Sequence, residues 1–277
     1  MNLNNYILHI DGAYFFTQEQ LIPQILLALP FVLTLVMYIL AVIVSNRRHK
    51  RWPLYRTVCW IFGVLFAIIS VAGPLANRAL VDFTAHMFGH LFLGMLAPLL
   101  MALAAPMTLM LRTLTVPIAR RLSKMLRSRL SRMLTNPIIA SVLNIGGLWL
   151  LYTTSLYSLM HDYFLLHLIV HVHVFLAGYL FTISMFYIDP MPHRVPFLYR
   201  AIVLCVALTG HGILSKYIYA HPPNHVTINQ AELGGMVMYY GGDIIDIVII
   251  FILCLQWFRA TRPRTRLAIF SNCFISY

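Results

Sequence analysis

Five histidines, His86, His90, His167, His171 and His211, fall inside long apolar stretches of this 277-residue sequence, and imidazole is the commonest protein ligand for transition metals. A polar side chain in hydrocarbon costs free energy, so it finds a partner, faces the interior of a helix bundle, or carries function. His86 and His90 are four residues apart, as are His167 and His171; such pairs share one helix face, about 6 Å apart along the axis. Asp82 stands four residues before His86, where a carboxylate would accept a ring N–H and orient the imidazole. His161 marks the outer mouth of the segment carrying His167 and His171, as a ligand there or as an interfacial residue, whereas His173 falls on another face. His211, between Gly210 and Gly212, offers a fifth nitrogen donor from a segment that neighbours can approach closely. Asp243 and Asp246 lie in a further apolar stretch, where each carboxylate costs roughly 2.5–3.5 kcal/mol on insertion scales. Hydrogen bonding to the histidines is their expected role and a proton relay the alternative. Together these residues suggest a metal or cofactor site; histidines satisfied by Ser, Thr or Tyr of neighbouring helices are the structural alternative.

The elements that must position them are membrane helices. The chain is 60% hydrophobic and only 10% charged, against roughly a quarter charged in soluble proteins. Apolar runs of the length needed to cross hydrocarbon, about 20 residues, occur near 21–44, 54–72, 84–111, 137–157, 162–187, 197–217 and 234–258. The expectation is an all-α polytopic membrane protein, a bundle of seven transmembrane helices forming one integral membrane domain over 1–277, with no room for a soluble domain.

Basic residues orient the bundle. With the N-terminus outside, 18 of the 20 Lys and Arg residues fall on one side, leaving Arg78 and Lys216 on the other. The positive-inside rule makes the basic side, with the C-terminus, cytoplasmic. All five histidines then lie in the outer half. The first 20 residues hold Asp11 and Glu19 but no Lys or Arg, which reads as a short translocated tail rather than a cleavable signal peptide. The net charge of +12 is therefore a topology signal and a match to anionic lipid, not a sign of nucleic-acid binding. Residues 113–134 alternate Ile118, Leu122, Met125, Leu126, Leu130 and Met133 with basic residues at helical spacing, the pattern of an amphipathic helix on the inner leaflet. Cys59, Cys205, Cys254 and Cys273 form no C-x-x-C pattern, so any metal must be held by nitrogen, thioether or carboxylate.

The run from His86 to Arg112, HMFGHLFLGMLAPLLMALAAPMTLMLR, resembles the signature segment of the seven-helix CtaG-type cytochrome c oxidase assembly factors. The likeness continues through Asn136-Pro137, His161-Asp162, His167, His171 and Gly178. It extends over Asp189-Pro190-Met191-Pro192 with Arg194 and Arg200, and ends in LGGMVMYYGGD from Leu233 to Asp243. The chain departs from the family pattern at Thr209, Asn229, Tyr239 and Gly241. The resemblance implies a bacterial plasma-membrane accessory protein, not an enzyme, that helps copper reach a haem–copper oxidase. On that reading His86, His90, His167, His171 and His211 hold copper near the outer face, with Asp82, Asp243 and Asp246 behind them, and the partners are oxidase subunits and lipid. The rivals are a membrane di-metal oxidoreductase with iron and a bis-histidine haem protein.

Overall fold

In hydrocarbon every backbone N–H and C=O needs an internal partner, and apolar runs of this length meet that demand as helices. The computed structural model describes residues 18–262, and every regular element among them is a helix. Asp11, Arg264, Arg266, Cys273 and the expected N-terminal tail lie outside the described residues.

The helices α1 (Gln18–Arg48), α2 (Leu54–Val71) and α3 (Pro74–Ala79) lead into a third apolar segment. That segment is α4 (Phe83–Leu91), a π-helical turn (Phe92–Leu96) and α5 (Ala97–Leu103). Three short helices follow: α6 (Pro106–Thr113), α7 (Val116–Leu126) and α8 (Arg129–Leu134). The fourth apolar segment is α9 (Pro137–Ser141), a second π-helical turn (Val142–Gly146) and α10 (Gly147–Thr153), continued by α11 (Leu156–Asp162). The long helices α12 (Phe164–Met185), α13 (Phe197–Ala220) and α14 (Ile228–Thr261) complete the order. Six of these segments are long and apolar enough to cross a membrane, and α9–α10 with α11, bent by 79°, makes up to seven.

Three expected boundaries differ, each for a local reason. The run 84–111 is not one helix. Pro106 disfavours helical geometry at the residue before it, and Ala105 there takes a left-handed conformation with φ 53°. The run 137–157 ends at Thr153 and turns sharply into α11. Residues 113–134 form two helices, because Ser128 caps a new N-terminus by accepting from Ser131 N. Their apolar face stays uncovered, with Met125 66% and Leu130 61% exposed.

The third segment is the axis of the bundle. In it 61% of an 18-residue stretch is buried, against 11% in α1. α12 crosses it at Gly94 and Gly178, where a Cβ on Gly178 would overlap the Gly94 carbonyl oxygen. Gly94 lies in the first π-helical turn.

At the basic end of the bundle the 187–196 connection is pinned by charge. Asp189 accepts from Met107 N at 3.0 Å and from Thr108 N at 2.7 Å, so its carboxylate sits on the N-terminus of α6. Arg200 is buried, donates to the Met185 carbonyl at 2.8 Å, and lies over the rings of Tyr187 and Phe197. These residues of the Asp189–Arg200 motif are accounted for by structure. Asp189→Ala strips the first turn of α6 of its acceptor and should lower stability by about 2 kcal/mol, measurable as a reduced thermal midpoint in detergent.

Candidate metal centre

His86 is placed by the start of α4. Asp82 caps that helix through Thr84 N at 2.9 Å and pairs with Arg78 at 3.2 Å. Each carboxylate oxygen of Asp82 thus has a partner, neither of them a histidine, and its role in this structure is capping α4. One turn later His86 is buried, its Nε2 3.1 Å from the Tyr152 hydroxyl of α10. The His86 ring also packs edge-on to Tyr157 of α11, with centroids 5.1 Å apart.

Two further histidines face it from α12. His167 and His171 stack along their helix with ring centroids 4.1 Å apart. His171 Nδ1 lies 2.9 Å from the His167 carbonyl. A carbonyl only accepts, so Nδ1 carries the proton and Nε2 of the neutral ring keeps its lone pair. His161 repeats the arrangement, with Nδ1 donating to the Tyr157 carbonyl at 2.9 Å. Its ring centroid is 6.5 Å from that of His86. Donation of one ring nitrogen to a backbone carbonyl is how metal-ligating histidines are commonly held.

These four side chains line one cavity of ≈ 690 Å³, which α1 and the end of α2 help to wall through Gln24 and Ser70. A smaller cavity of ≈ 30 Å³ continues inward, lined by His86, His90, His171 and Tyr152. His90 is buried with neither ring nitrogen hydrogen-bonded. Its neighbour on the far side is His211 of α13, ring centroids 6.5 Å apart.

The five predicted histidines are thus arranged in depth rather than gathered at one point. His86, His167 and His171 meet around the open cavity with His161, His90 lies one turn deeper, and His211 borders a separate cavity with Asp246. Among the described residues no three histidine, cysteine or carboxylate side chains form a ready-made metal-binding group. Sharing an ion would require the rings around the open cavity to come closer together. Asp243 is exposed on α14, away from the histidines' interior, whereas Asp246 is buried with Oδ1 unpartnered. His173 bonds to the Leu143 carbonyl at 3.1 Å, on another face as expected. Tyr152 and Tyr157 were not singled out by sequence; their signal is position, at the end of the fourth segment beside His161.

The model of the cytochrome c oxidase caa3 assembly factor family (Caa3_CtaG) matches residues 36–260 of this chain. The chain belongs to that family. The matched region contains every histidine described above. Among curated relatives, an uncharacterised protein of Mycobacterium leprae is 25% identical over 243 residues, 80% of this chain and 37% of the relative. Uncharacterised proteins of Mycobacterium bovis and Mycobacterium tuberculosis are each 28% identical over 238 residues, 78% of this chain and 36% of theirs. The chain therefore spans little more than a third of the length of these relatives. No solved structure matches this caa3 assembly factor family member.

Proposed function

We propose that this chain, in a bacterial plasma membrane, assists assembly of a haem–copper oxidase by holding copper as cargo in the histidine-lined cavity and aiding its delivery to an oxidase subunit. The observation that carries the reading is four imidazoles around one cavity, two of them with Nδ1 committed to backbone and Nε2 left free. Imidazole serves either copper oxidation state, and a cavity lined by no thiol holds Cu(I) less tightly than a cysteine pair, which suits a protein that must release its cargo. Assistance without catalysis is the role the family description supports. The purified full chain should contain copper, no iron, and no Soret band. Iron or a Soret band in place of copper would overturn the reading in favour of di-iron or haem chemistry.

The same proposal places the cavity on the outer side, with the C-terminus cytoplasmic. Its support is the segregation of basic residues, since the α6–α8 connection alone holds Arg112, Arg120, Arg121, Lys124, Arg127, Arg129 and Arg132. In a background lacking the native cysteines, Asn224→Cys between α13 and α14 should react with a membrane-impermeant maleimide in intact cells. Lys124→Cys should react only after permeabilisation. The reverse pattern would invert the topology and move the cavity to the cytoplasm.

A further inference from the structure

Asp246 is a carboxylate deep in a helix long enough to cross the membrane, buried, and with Oδ1 unbonded. A buried charge without a counter-charge is unstable there and calls for a proton or a cation. Its surroundings are specific. A cavity of ≈ 20 Å³ is lined by Asp246, His211, Met95, Asn144 and Thr182, room for about one water molecule or one ion. His211 is buried and its Nε2 has no hydrogen-bond partner. The Met95 methyl group lies 3.7 Å from the position of a Cβ built on Gly242, and His211 Cε1 lies 2.7 Å from the same point. The thioether arm and the imidazole therefore converge on α14 where it has no side chain. Met95 belongs to the first π-helical turn and Asn144 to the second. Such turns recur at functional sites because they push one residue out of the helical register.

The cavity is also connected by chemistry to the outer one. From the open cavity, the small cavity shared by His86, His171 and His90 leads inward. His90, with both ring nitrogens free, then stands next to His211. Unbonded imidazole nitrogens thus mark the way from the surface to Asp246.

We propose that His211, Met95 and Asp246 form a second, deeper Cu(I) site, reached from the outer cavity past His90. The inference rests on the copper reading of the outer cavity. The donors are one imidazole, one thioether and one carboxylate. Nitrogen and thioether sulfur match a soft monovalent ion, and one carboxylate against one Cu⁺ leaves no net charge in the membrane interior. A divalent ion would leave an uncompensated positive charge. No redox step is involved: the ion moves as Cu(I) and exchanges ligands.

The test is Cu(I) titration of the purified full chain against a chromophoric chelator, with copper-edge X-ray absorption on the loaded protein. Met95→Leu and Asp246→Asn keep side-chain size. Each should bind about one copper fewer than wild type, and Met95→Leu should also remove a sulfur neighbour from the absorption spectrum. His161→Ala/His167→Ala/His171→Ala should instead lose the outer copper and keep the sulfur signal. Unchanged stoichiometry in Met95→Leu and Asp246→Asn, with no sulfur signal in wild type, would overturn the inner site while the outer one stands. That result would assign Asp246 a proton. A triple variant with unchanged stoichiometry would overturn the outer site alone, and absence of any Cu(I) binding would overturn both.

Discussion

Cells whose only copy of this chain carries His161→Ala, His167→Ala and His171→Ala are expected to lose most of their active haem–copper oxidase when copper is scarce. Removing even an orienting partner of a metal ligand lowers affinity roughly 10–100-fold, and this variant removes three of the four imidazoles around the cavity. His167 and His171 are only half-buried and His161 is exposed at the mouth, so truncation opens no void in a packed core and the fold should survive. His86→Ala is a poorer choice, because it also removes a buried ring packed on Tyr152 and Tyr157. Oxidase activity and oxidase copper content are the readouts. Added copper should restore activity in part, since weakened capture responds to concentration and misfolding does not.

The largest effect on the fold is expected at Gly178. α12 and the third segment touch there backbone to backbone, and a Cβ would overlap the Gly94 carbonyl oxygen. Backbone cannot rotate aside as a side chain can, so Gly178→Ala must push the helices apart. Overpacking of this kind costs about 1–3 kcal/mol. His167 and His171 lie on the helix that would move and His90 on the one it leaves, so the cavity should widen along with the loss of stability. The thermal midpoint in detergent and the copper affinity should therefore fall together in Gly178→Ala. A variant that keeps both would show that the contact tolerates a methyl group.

Much of this was legible in the sequence, for identifiable reasons. The apolar runs had to be helices because hydrocarbon offers backbone groups no other partner, and all seven runs contain helix. Each i,i+4 pair shares a helix face as its spacing required, His86 and His90 being buried and His167 and His171 half-buried beside one cavity. Depth was harder to read. Counting residues put His211 in the same half as the other four, whereas it borders a separate cavity with Asp246, a packing relation between helices that no hydropathy pattern records. Asp82 was read as a partner for histidine, and in the structure its contacts are Thr84 N and Arg78 at a helix start. Met95 carried no signal at all, being one of 14 methionines. The break at Ala105-Pro106 could have been anticipated from the proline, which sits where the third segment ends.

The most direct measurement is copper bound per folded chain, by equilibrium titration of purified wild type and the His161/His167/His171 alanine variant side by side. The account predicts that the variant, with its thermal midpoint unchanged, binds about one copper fewer than wild type. Equal stoichiometry and equal affinity in the two proteins would contradict it.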